Sequence, residues 1–230
     1  MKNFFCFCVA LLILEFGYAQ IRILPLGEST TNWKIQHPMW RPKFCELLTA
    51  DSVNHNMIGP YNDGATTYDG DHAGFPGNKS TDIRWNLEQF HAKQPTNIPD
   101  VIIILAGTND CGWALPDGST AGVSNLIDRA AELYPKAKIL VSSIPPLSNS
   151  AYTTGNHIRK AGQAAANVIA FNKQLPGLCA AKAAAGKKVT FVNASAALTV
   201  ESDLADGIHP NQSGNDKLAA AYFNAVKLLK

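Results

Sequence analysis

The sequence predicts an α/β fold, a three-layer α/β/α sandwich around a five-stranded parallel sheet. Short apolar segments alternate with helix-patterned ones along the chain, and one of them, Val101 to Ala106, is apolar without a break. A strand buried on both faces needs such a run, and strands alternating with helices pair in parallel beneath helices on both sides. Small polar clusters follow the first and third apolar segments, where a parallel sheet of this kind holds its ligand.

The elements follow in order. Ile21 to Leu26 is a strand that runs into Gly27-Glu28-Ser29-Thr30-Thr31, a loop of small and polar residues. A helix from Pro38 to about Ala50 leads to a second strand, Val53 to Ile58, and then to a polar stretch rich in Gly, Asp and Thr that ends near Gly77. Ser80 to His91 carries Ile83, Leu87 and Phe90 at helical spacing. After the Val101 strand come a helix from Leu126 to Leu133, a strand from Ala137 to Ser142, and a long alanine-rich helix from Ile158 to Ala185. Lys188 to Asn193 is the fifth strand, and Asn211 to Leu229 the last helix.

Of the 230 residues, 46% are hydrophobic and 17% charged, a balance that suits one compact domain, with no internal repeat and no dividing linker. A chain of this size buries about 70% of its unfolded surface, so its core needs neither metal nor disulfide. Twenty basic and 18 acidic residues leave a net charge of +2, without a basic run, and no nucleic-acid partner is expected.

Residues 1–19 read as a secretory signal peptide: Lys2, an apolar run from Phe4 to Leu14, and small residues at Gly17-Tyr18-Ala19. A spanning helix needs about 20 apolar residues, more than this run of eleven or any later one supplies, and an uncleaved anchor is the alternative reading. The expected product is an extracellular protein of residues 20–230. Cleavage removes Cys6 and Cys8 and leaves Cys45, Cys111 and Cys179, which fit either one disulfide with a free thiol or three buried thiols. No Cys/His spacing suggests zinc, and no metal or cofactor is expected.

Four clusters carry the chemistry: Gly27-Glu28-Ser29-Thr30, His72-Ala73-Gly74-Phe75-Pro76-Gly77, Gly107-Thr108-Asn109-Asp110 and Asp206-Gly207-Ile208-His209-Pro210-Asn211. Taken singly, each also describes a turn, a helix cap or a surface hydrogen bond. Together and in this order, each after a strand or before the last helix, they make a set that acyl transfer requires: a nucleophile, a base with its orienting acid, and donors for an oxyanion.

On these residues the chain resembles the SGNH, or GDSL-type, hydrolases, from Ile23 to the last helix. The resemblance implies the flavodoxin-like SGNH hydrolase fold for residues 20–230, with Ser29 as nucleophile, His209 as base and Asp206 holding the other ring nitrogen. It also implies an oxyanion hole made by the N–H groups of Ser29 and Gly74 and the side-chain amide of Asn109, with Gly77 as the alternative glycine. Two departures stand out. Glu28 replaces the family's usual aspartate, which puts the geometry of the first loop in question, and Pro76 stands where relatives often have Ser or Thr.

Within the family, Asp71-His72-Ala73-Gly74, Gly122-Val123-Ser124-Asn125-Leu126-Ile127-Asp128 and Gly186-Lys187-Lys188-Val189 are most similar to carbohydrate esterase family 3, the acetylxylan esterases. That implies an acetylated polysaccharide such as xylan as partner. Trp33, Trp40 and Trp113 lie near the predicted loops and suit either sugar stacking or core packing. Asp63, Asp69 and Asp71 lack the spacing of a calcium loop and read as a solvated loop. His37, His55, His91 and His157 stand singly and need no functional role, and Arg41 has no assignment. Two other readings stay open: a lipolytic lysophospholipase or thioesterase of the same type, and a non-catalytic glycan-binding protein on the same fold.

Overall fold

A computed structural model describes residues 20–32, 39–114, 118–154 and 160–229. The signal segment, Trp33, His37, His157 and the predicted helix starts at Pro38 and Ile158 lie outside the described residues.

The chain runs β1 (Ile21–Gly27), α1 (Trp40–Ala50), β2 (His55–Met57), β3 (Tyr61–Asn62), β4 (Asp71–Gly74), α2 (Ser80–Lys93), β5 (Val101–Leu105), α3 (Ala121–Leu133), β6 (Lys138–Ser142), α4 (Gln163–Ala184), β7 (Val189–Val192), α5 (Val200–Asp203) and α6 (Gln212–Lys227). A π-helical turn, Asp110–Ala114, lies between β5 and α3.

β1 pairs in parallel with β5, β5 with β6, and β6 with β7. On its other edge β1 pairs with β2 through Ile21 to Ile23 and with β4 through Leu26 and Gly27. β2 and β4 therefore share one position in the sheet, and the five parallel positions run β2/β4, β1, β5, β6, β7. Every residue of β5 is buried, as its unbroken apolar run requires. The helix pairs α1–α6 and α2–α3 flank the sheet.

The order departs from the sequence reading in the polar stretch after β2. That stretch holds β3 and β4, an antiparallel pair in which Tyr61 faces His72 and Asn62 faces Asp71. Asp63 is not solvated: it is buried and ion-paired to Arg41 at 3.0 Å. Asp69 accepts the Met57 N–H at 2.7 Å, and Asp71 accepts the Asn62 amide at 2.6 Å. Asp63 thus braces the hairpin from inside, Asp69 ties it to β2, and Asp71 pairs with Asn62 across the two strands at the surface.

Cys45, Cys111 and Cys179 are all buried free thiols, so the three-thiol alternative is the one the structure adopts. Burial pushes Cys45 up to about 12 and Cys179 up to about 11, which keeps both protonated. Among the described residues, no helix is long and apolar enough to cross a membrane.

The chain leaves β1, builds one edge through β2 and β4, then crosses to the other side of β1 to lay down β5. That reversal places the loops after β1 and β5 side by side at the carboxyl edge. Ser29 sits in the first and Asn109 in the second.

Candidate active site

Ser29 occupies a tight turn immediately beyond β1. The Thr31 N–H donates to the Glu28 carbonyl at 2.9 Å and the Asn32 N–H to the Ser29 carbonyl at 3.0 Å, so the chain coils back and keeps Ser29 nearly buried. β4 ends against this turn. A side chain on Gly74 would put its Cβ 2.5 Å from the Cβ of Asn32, so only glycine allows that approach.

His209 reaches Ser29 from the segment before α6. Its Nε2 lies 2.9 Å from Ser29 Oγ, and its Nδ1 lies 2.8 Å from Asp206 Oδ2. The other Asp206 oxygen accepts the backbone N–H groups of Ile208 at 2.9 Å and His209 at 2.7 Å. Three residues of separation therefore suffice to fold the carboxylate under the ring. Desolvation opposes ionisation of Asp206, but the His209 N–H, the ring and the Ile208 N–H outweigh it and hold the carboxyl below its ordinary range.

The segment is pinned at its base. The Ala205 N–H donates to the His209 carbonyl at 2.8 Å, and the Asn211 N–H to the Asp203 carbonyl at 2.8 Å. Asp203 is buried, and Lys217 of α6 holds it at 2.7 and 2.9 Å. Gly207 has a φ of +81°, a conformation that favours glycine, and its carbonyl accepts the Ser148 N–H at 2.8 Å.

Asn109 is buried at the head of the π turn. Its amide nitrogen donates to Glu28 Oε2 at 3.0 Å and to the Asn78 carbonyl at 2.9 Å, while its Oδ1 accepts from the Tyr152 hydroxyl at 3.0 Å. These partners fix which end of the amide is nitrogen. They also engage both of its protons, so any further acceptor reaches this amide by displacing one of them. The Gly74 N–H is likewise engaged, by His72 Nδ1 at 3.1 Å. The Ser29 N–H, by contrast, donates to no protein group among the described residues. Gly77 has a φ of +79° and faces the Trp113 ring.

Glu28 keeps the turn closed in spite of its extra methylene. The fully buried carboxylate accepts the Thr108 N–H at 3.0 Å and the Asn109 N–H at 3.3 Å, besides the Asn109 side chain. Desolvation raises it to about 7 against these donors, with Asp110 adding to the rise. Asp110 accepts the N–H and hydroxyl of Ser80 at 2.9 and 3.1 Å and so holds the start of α2. Sequence reasoning missed the reach of Glu28 to Asn109, although its place just before Ser29 was a signal. Tyr152, in an irregular stretch of serines and threonines, gave no signal at all.

The remaining candidates separate. Trp40 is fully buried and packs edge-on against Phe44 and Tyr222, so it is a core residue. Trp113 is partly exposed and packs edge-on against Tyr152 at 5.6 Å. Nδ1 of His55 lies 2.9 Å from the Val53 carbonyl, and His91 packs against Tyr134. Arg41, without a role in the sequence, donates to the Thr31 carbonyl at 2.9 Å and to the Gly70 carbonyl at 3.2 Å, tying the Ser29 turn to the hairpin.

The model of the GDSL-like Lipase/Acylhydrolase family matches residues 26–217, which contain Ser29, Gly74, Asn109, Asp206 and His209. The chain belongs to the GDSL-like lipase/acylhydrolase family. Among curated relatives of this GDSL-like chain is a multidomain esterase of Ruminococcus flavefaciens, 25% identical over 228 residues. That match covers 90% of the chain but 28% of the relative, so the chain spans under a third of that protein's length. Among solved structures, a family 3 carbohydrate esterase from Clostridium thermocellum is similar at a TM-score of 0.74 and 25% identity, over 91% of this chain and 97% of that one. A family 3 carbohydrate esterase from Talaromyces cellulolyticus shares the fold at the same TM-score and 22% identity, over 91% and 98%.

Proposed function

We propose that the chain is a secreted serine esterase that removes acetyl groups from carbohydrate such as acetylated xylan, through an acyl-enzyme on Ser29. The observation that carries the reading is the continuous hydrogen-bonded line from Ser29 Oγ through His209 to Asp206, at 2.9 and 2.8 Å. In this reading residues 1–19 direct export, which suits a polymer too large to import.

Ser29 Oγ attacks the ester carbonyl as His209 Nε2 takes its proton. The new carbon–oxygen bond pushes the carbonyl electrons onto oxygen, which meets the Ser29 N–H. Gly74 and Asn109 join by giving up a present hydrogen bond, Asn109 that to Asn78 or Glu28. Collapse expels the sugar hydroxyl, which takes the proton from His209. Water then attacks the acetyl-serine with His209 again as base, releasing acetate.

The surroundings of the turn favour a small acyl group on a polar alcohol. A recess of about 310 Å³ beside Gly74 is lined by the amides Asn32, Asn78 and Asn86 as well as Tyr61, Phe75 and Pro76. A long acyl chain calls for an apolar trough instead. The test is acetate release from acetylated xylan beside hydrolysis of nitrophenyl esters of increasing chain length. Release from xylan, with rates falling beyond short acyl chains, supports the reading. A preference for long chains moves the chain to the lipolytic reading, and no hydrolysis of any ester by folded protein moves it to glycan binding.

A further inference from the structure

Tyr61 and Trp85 are the exposed large aromatic side chains among the described residues, 48% and 58% accessible. Both line one groove. The recess beside Gly74 adjoins a second recess of about 140 Å³, with which it shares Tyr61, Phe75 and Asn86 and which Trp85 and Gln89 also border. The groove thus starts where β4 abuts the Ser29 turn and ends on the outer face of α2.

The composition of this groove is selective. Tyr61 stands on the β3 edge with its ring edge-on to Phe75 at 5.5 Å, so the ring is braced while nearly half of the residue stays open. Trp85 and Gln89 are one helical turn apart on α2, with Asn86 beside them. The side-chain amides of Asn86 and Gln89 donate to no protein group among the described residues and are free for a ligand. Aromatic faces take the C–H face of a sugar ring, amides take its hydroxyls, and a groove lined mainly by both suits a neutral polyhydroxyl chain.

We propose that this groove is a glycan-binding subsite, in which Tyr61 and Trp85 stack sugar residues next to the acetylated one and so hold a polysaccharide across the Ser29 turn. The proposal rests on the carbohydrate esterase reading, and it identifies the substrate as a chain of sugars rather than a single acetylated sugar. Trp85 projects from a helix surface, so its removal does not threaten the core. Tyr61 and Trp85 come from separate elements, and each tests the groove independently.

The experiment uses the full chain and its Trp85→Ala and Tyr61→Ala variants on acetylated xylo-oligosaccharide and on nitrophenyl acetate, and adds calorimetric binding of unacetylated xylohexaose to Ser29→Ala with and without Trp85→Ala. Each variant is expected to raise KM for the oligosaccharide by about tenfold more than for nitrophenyl acetate, and Trp85→Ala to weaken xylohexaose binding by about tenfold. Equal changes on both substrates, with xylohexaose binding unaltered, overturn the groove and leave the esterase standing. If the parent hydrolyses no ester, the esterase reading fails on that result alone, and the xylohexaose titration still decides the groove.

Discussion

Glu28 and Asn109, from loops on adjacent strands, share a buried hydrogen bond of 3.0 Å between the carboxylate and the side-chain amide. The residue before Ser29, the proposed nucleophile, therefore sets the orientation of the proposed oxyanion donor. Three N–H contacts fall on one fully buried carboxylate, yet desolvation still lifts it to about 7.

The carboxyl titrates at 4.5 when unfolded and near 7 when folded, so the folded state binds the proton more tightly. Its stabilising contribution is complete below pH 4.5 and is lost as pH rises through 7, a total of about 3 kcal/mol. Urea unfolding at pH 4.5 and pH 8 will show the parent losing about that much relative to Glu28→Gln. A difference between the two proteins that does not change with pH refutes this account of Glu28.

The parallel sheet and its helices were legible because β1, β5 and β6 are apolar runs and α2 carries Ile83, Leu87 and Phe90 on one face. The order of Ser29, Asn109, Asp206 and His209 was legible because each follows a strand or precedes the last helix. The β3–β4 hairpin was not, since Asp63 and Asp69 hydrogen-bond inward, where sequence patterns read acids as facing water. Tyr152 was hidden for another reason. Its contact with Asn109 joins residues 43 apart through an irregular segment with no periodicity to follow.

Asp206→Asn separates orientation from charge. The asparagine oxygen keeps the Ile208 and His209 backbone bonds and turns its NH2 toward Nδ1. The ring must then carry its proton on Nε2, where it cannot accept one from Ser29. Steady-state kinetics on nitrophenyl acetate will show kcat reduced by about 100- to 10,000-fold.

Arg41 is a structural bridge whose loss is expected to be large. Its side chain is fully buried, and it pairs with an Asp63 side chain that is 2% accessible and also accepts the Tyr68 hydroxyl. Arg41→Ala leaves that carboxylate without its cation and will cost about 3–5 kcal/mol in urea unfolding. Asp63→Asn, which keeps a hydrogen-bond acceptor, will cost less.

The claim that Ser29 is the nucleophile is tested most directly by covalent trapping. A nitrophenyl phosphonate, which phosphorus-labels an activated serine, is incubated with the protein, and the digest is mapped by mass spectrometry alongside residual activity. The account predicts one label per chain on the peptide containing Ser29, activity lost in step with labelling, and neither label nor activity in Ser29→Ala. Labelling at another residue, or esterase activity that survives in Ser29→Ala, contradicts it.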